Sequence, residues 1–108
     1  MTKLLVKELK GYTFRLLDLE TYKTFRAHKN EFDLTIGSLL TVDDIELSND
    51  LITKMNVTNE IVGDSTKERI KVFIDEVKIG DLIDGVPILK FGQNWAEKGR
   101  KVSYAYFK

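Results

Sequence analysis

Cysteine is absent from this chain of 108 residues. That excludes disulfides, thiolate nucleophiles and cysteine zinc sites together, and it fits a reducing compartment. A charge excess is missing as well, because 17 Lys and Arg stand against 17 Asp and Glu. Strong nucleic-acid binders are more often basic overall, so the total counts against that class, although arrangement matters more than the sum. Long apolar runs are missing too. The start, Met-Thr-Lys-Leu-Leu-Val-Lys-Glu-Leu-Lys, carries a charge every few residues and has no apolar stretch of signal-peptide length. No segment approaches the roughly 18 apolar residues of a membrane span. The expectation is a soluble, cytoplasmic protein with no membrane partner. Its length is that of one domain, residues 1–108. A chain of this size buries roughly 65% of its unfolded surface and needs no metal or disulfide staple.

The charge that is present is unevenly placed. Residues 41–64 hold Asp43, Asp44, Glu46, Asp50, Glu60 and Asp64 against Lys54 alone. Residues 98–108 hold Lys98, Arg100, Lys101 and Lys108 with no acid.

Most of the chain reads as strand. Leu4 and Val6 alternate with Lys7 and Lys10, and Tyr12, Phe14 and Leu16 alternate with Thr13 and Arg15. Gly11 between them reads as a bulge or sharp bend in one long strand. After a turn at 18–21, the stretch 22–29 returns as a hairpin partner. It puts Tyr22, Thr24, Arg26 and His28 on one face and Lys23, Phe25 and Ala27 on the other. Residues 38–47 form the next strand. Residues 48–63 are either a helical turn carrying Leu51, Ile52 and Met55 or a second hairpin. Residues 81–83 are short and β-like, and Asp84-Gly85 is a turn signal. Pro87 cannot donate to a ladder, which places the strand at 86–91 near an edge. Gly92 to Gly99 reads as a glycine-bounded loop around Trp95. The last strand, 100–107, sets Val102, Tyr104 and Tyr106 opposite Ser103, Ala105 and Phe107.

One stretch reads as helix. Ser65 and Glu68 have capping-box spacing. Ile70, Phe73, Ile74 and Val77 fall at i, i+3, i+4, i+7. Gly80 stands where a left-handed residue would end the element. The rival is a strand with Ile70, Val72 and Ile74 facing in, which leaves Phe73 exposed and ignores both end signals. The expectation is an amphipathic helix over about 66–78. The fold class is then α+β, mostly β. The order of three strands, one helix and two strands is that of a five-stranded Greek-key OB barrel. Small barrels of five to seven strands, OB-like or PUA-like, satisfy this string.

No motif carries catalysis. His28 is the only histidine, no serine lies in a nucleophile motif, and nothing meets the tests for an active site. The spacing of Asp43, Asp44, Glu46 and Asp50 does not match a calcium loop, and a solvated strand edge explains those acids better. The expectation is a non-enzyme with no cofactor and no metal. Bases stack on aromatic rings while cations track phosphates, so an interleaved aromatic and basic surface suits single strands. Tyr22, Arg26 and His28 share one expected strand face. Trp95 lies beside Lys98, Arg100 and Lys101. These seven residues are the expected nucleic-acid site. The function read from them is a small binding module for single-stranded nucleic acid or RNA. The alternative is a protein-interaction or assembly module, with a protein partner or a second copy as its ligand, since the acidic middle and basic end suit such contacts.

Overall fold

Hydrophobic alternation in the first sixty residues builds a closed barrel. The computed structural model describes all residues, 1–108. Its first five strands are β1 (Thr2–Lys10), β2 (Thr13–Asp18), β3 (Thr24–His28), β4 (Leu39–Ser48) and β5 (Leu51–Ile61). They close in the order β1-β2-β3-β5-β4, and β4 returns to β1. All neighbours are antiparallel except β3 and β5, which run parallel. Side chains alternate across a strand, so every second residue points inward. Leu4 and Val6, Phe14 and Leu16, Ala27, Leu40 and Val42, and Ile52 meet in one buried core.

Two expectations are revised here. Gly11 does not bend one strand. With Tyr12 it forms the two-residue loop of a hairpin, and its φ of +63° is what the first position of a II′ turn requires. The irregularity lies four residues earlier, where the β1–β2 register shifts between Val6 and Glu8. The open choice at 48–63 resolves as one long strand, β5, which pairs back on β4 through the loop Asn49-Asp50.

The remaining strands are β6 (Ile70–Phe73), the short β7 (Leu82–Ile83), β8 (Val86–Pro87) and β9 (Lys90–Phe91), then β10 (Trp95–Glu97) and β11 (Arg100–Tyr106). The last strand is central in a second sheet. Val102 pairs with both Phe73 and Trp95, and Ala105 with both Ile70 and Phe91, so β6 lies on one side of β11 and β10 and β9 on the other. β7 and β8 form a small separate hairpin at Asp84-Gly85, both with positive φ, as the turn signal predicts. Pro87 sits in that two-stranded piece, near an edge as expected.

The predicted helix over 66–78 does not form. Asp64 takes over its start: Oδ1 accepts from the Thr66 N–H, and the Asp64 carbonyl accepts from the Lys67 N–H. This Asx turn competes with the Ser65 cap. Ile70 to Phe73 then pairs with β11. Ile70 and Val72 face the inner side and pack on a second core of Ile88, Ala105 and Phe107. The objection to the strand was an exposed Phe73. Its ring is half-buried, because the Arg100 guanidinium lies 3.8 Å from its centroid. Gly80 does adopt positive φ, +89°, but in a turn whose N–H donates to the Ile88 carbonyl.

The barrel and the second sheet touch through backbone and apolar side chains. Leu5 and Leu39 lie opposite one another and off the inward alternation, yet both are buried. Nearby, the Gly63 N–H donates to Ser38 Oγ at 3.1 Å. A Cβ on Gly63 would meet Gly37 carbonyl carbon at 2.5 Å, so the two backbones cross where only glycine fits. The bulge at Lys7 re-aims that side chain, as bulges do, and its ammonium donates to the Leu89 carbonyl.

Candidate functional site

The outer face of the second sheet follows from its register. Residues paired directly across a sheet point to the same side. Trp95, Val102 and Phe73 therefore share a face with Lys71 and Tyr104, and with Glu97 and Arg100. Tyr106, paired with Lys90, continues the row. The reverse face carries Ser103, Ala105 and Phe107 into the second core, so this sheet is apolar on one side and aromatic and basic on the other.

The rings on that face are close. Trp95 and Tyr104 have centroids 5.3 Å apart with planes tilted at 45°. The Arg69 guanidinium lies 4.0 Å from the Tyr104 centroid, and its Nη1 donates to the Tyr106 hydroxyl at 3.4 Å. Lys90 Nζ lies 5.7 Å from the Tyr106 centroid. All three rings, Trp95, Tyr104 and Tyr106, are half-buried, with surface left for contact.

Carboxylates neutralise one end of the face. Glu97 accepts from Lys71 Nζ at 3.0 Å and from Trp95 Nε1 at 2.9 Å. Those two donors hold its carboxyl below the usual range. Arg100 Nη2 donates to Asp75 Oδ1 and to Glu76 Oε1, each at 2.9 Å. At the other end Arg69 and Lys90 take part in no ion pair. Cations of the face are thus engaged near Trp95 and open near Tyr106.

The seven expected residues divide between the two sheets. Thr24, Arg26 and His28 do alternate outward on β3, facing Leu17, Arg15 and Thr13 across the ladder. Tyr22 leaves that strand. It occupies the preceding turn with φ +60° and is 65% exposed. Arg26 is bound to Asp50 and is not an open cation. Trp95 does not lie in a loop. The glycine-bounded stretch contains β10, and Lys98-Gly99, both with positive φ, turn it into β11. Trp95 and Arg100 share the aromatic face, Lys98 is at the hairpin tip, and alternation directs Lys101 to the reverse side. No hydrogen bond or ion pair joins the barrel group to the β10–β11 group.

Tyr104, Tyr106, Arg69, Lys71 and Lys90 were missed as site residues. The alternation of Val102, Tyr104 and Tyr106 already placed both tyrosines on one side. Arg69 and Lys71 were hidden by the helix assignment, which gave them another geometry. The acidic residues 43–50 do not converge, and no group of three acidic or histidine side chains is placed to hold a metal ion. Comparison with family models, curated proteins and solved structures gives no match.

Proposed function

We propose that this chain is a small non-enzymatic module that binds single-stranded nucleic acid or RNA on the outer face of its second sheet. One observation carries the reading: Trp95, Tyr104 and Tyr106 form a row of half-covered rings flanked by Arg69, Arg100, Lys71 and Lys90. Bases stack on such rings without regard to sequence, and Arg69 and Lys90, which are in no ion pair, meet phosphates. Arg69 already stacks on Tyr104, so an incoming base displaces it toward the backbone or sandwiches it. Lys98, at the hairpin tip, extends the basic rim. Charge distribution agrees: residues 62–108 carry nine Lys and Arg against seven acids, while residues 1–61 carry eight against ten. The closed barrel is compatible with an OB-like reading, since five strands close with the third and fifth adjacent, but they are β1 to β5 rather than a set completed by a helix and the strands at 86–91 and 100–107.

Titration of Trp95 fluorescence with an unstructured oligonucleotide at low salt tests this. The expected result is a saturable change whose affinity falls as salt rises. Tyr104→Ala is expected to weaken binding by about 1–3 kcal/mol, the worth of one stacked base. No fluorescence change together with no retention in a gel-shift assay overturns the reading.

The assembly alternative has one observation of its own. β6 pairs on one side only, leaving a four-residue edge beside β11. Sedimentation decides it: a concentration-dependent shift to dimer supports edge pairing, and a monomer at all concentrations removes it.

A further inference from the structure

The aromatic face ends at Tyr106, and beyond it lies a groove between the barrel and the second sheet. The groove encloses about 660 Å³. Lys7 and Arg15 line it from the barrel, Lys90 and Lys108 from the second sheet, with Glu8 the only acid. None of these four cations takes part in an ion pair. The other three arginines each hold a carboxylate or an aromatic ring: Arg26 on Asp50, Arg69 on Tyr104, Arg100 on Phe73 and two acids. Arg15 holds neither. It faces Glu8 on β1 and Arg26 on β3 in register, and Arg26 is already neutralised by Asp50.

Four cations sharing one concave space raise each other's free energy unless an anion joins them. Lys7 shows part of this effect, second to burial. Burial first, then Lys90, push its ammonium below the usual lysine range. A chain that needed only a closed seam would place apolar or opposite charges there. The groove also connects to the proposed face. Lys90 reaches the Tyr106 ring and lines the groove. Lys108 lines both this groove and the smaller one of about 420 Å³ beside Arg69, Tyr104 and Tyr106.

We propose that the groove carries the phosphodiester backbone of the same single strand, past the nucleotides stacked on the aromatic face. Lys90 and Lys108 receive the phosphates at the Tyr106 end, and Arg15 and Lys7 hold the next ones against the barrel. The inference rests on the reading of the aromatic face as a nucleic-acid surface and adds its direction and footprint.

The test compares a short oligothymidylate of about 4 nucleotides with a long one of about 12, within the range of known single-strand sites. The wild-type protein is expected to bind the long strand more tightly and with a steeper salt dependence. Arg15→Gln, outward on the barrel, and Lys108→Gln, at an exposed position, are expected to weaken the long strand several-fold each. Each should lower the magnitude of the log–log salt slope by about 0.7, one single-strand phosphate contact. Arg15→Gln, remote from the aromatic face, should not change binding of the short strand. Equal slopes for both lengths, or variants that leave long-strand affinity unchanged, overturn the groove and leave the face standing. A long strand that binds through Arg15 while Tyr104→Ala has no effect keeps the groove and overturns the face. No binding of either strand overturns both.

Discussion

Arg26 and Asp50 close the seam of the barrel. The Arg26 backbone N–H donates to the Asp50 carbonyl at 2.8 Å. Its side chain adds Nε to both carboxylate oxygens at 3.0 Å and Nη2 to Oδ1 at 2.7 Å. The pair joins β3 to the β4–β5 hairpin tip at the one parallel junction, where Arg26 stands beside Leu51. A bidentate guanidinium fixes geometry as well as charge, so this arginine serves the fold.

The Arg26 hydrogen bond, above all, holds the Asp50 carboxyl below the usual range. A lowered carboxylate contributes stability that is present at neutral pH and lost as pH falls from about 3.9 through the folded value. Asp64 and Glu97 are shifted in the same direction. Asp50→Asn is expected to be less stable than wild type at pH 7, with the gap narrowing below about pH 4. Urea midpoints followed by circular dichroism across that range check it, and a gap independent of pH contradicts it.

Gly63→Ala is expected to cost about 2–3 kcal/mol, as overpacking against unyielding atoms does. Its new Cβ would lie 2.5 Å from backbone at Gly37, with no flexible side chain to give way. Gly11→Ala is the contrast, because nothing lies within 4 Å there and only its positive φ of +63° is strained. It is expected to cost about 1–2 kcal/mol. Denaturation midpoints of the two variants measure the difference.

Phe107→Ala is expected to destabilise the protein by about 3–5 kcal/mol, because it empties the largest side chain of the second core. Leu5 and Leu39 are buried, the Lys7 ammonium bonds to Leu89, and Gly37 abuts the Phe107 carbonyl. Barrel and second sheet are therefore expected to unfold in one transition. Coincident Trp95 fluorescence and far-ultraviolet dichroism curves would agree with this, and two separated transitions would not.

Glu97 is an acid at the Trp95 end of the aromatic face, held by Lys71 and Trp95. Glu97→Gln keeps an acceptor for the indole N–H and releases the Lys71 ammonium. It is expected to raise affinity for single strands several-fold and to increase the magnitude of the log–log salt slope by about 0.7. A fluorescence titration at several salt concentrations reads both, and lower affinity would place the acid in the binding contacts.

Local signals were legible where local geometry decides. Asp84-Gly85 turned as read, Pro87 sat near an edge, and the alternation of Thr24, Arg26 and His28 held. The helix failed because Ile70, Val72, Phe73, Ile74 and Val77 satisfy two periods at once. The choice fell to β11, thirty residues later, whose backbone groups needed partners. The glycine-bounded stretch around Trp95 carries no periodic signal of its own. Three residues make a strand only because Val102, Lys101 and Arg100 stand opposite.

The sequence by itself determined a mostly β chain, the turn at Asp84-Gly85, and the sidedness of the strands at 24–28 and 100–106, because these depend on neighbours along the chain. It also placed Trp95 and Arg100 in one short region. Tertiary structure alone decided that the barrel closes by residue 61, that Asp50 engages Arg26, and that Arg69 joins Tyr104 and Tyr106 on one face. Each of those pairs residues far apart in sequence. Only the packing of two cores determines which distant groups meet, and no local periodicity encodes that choice.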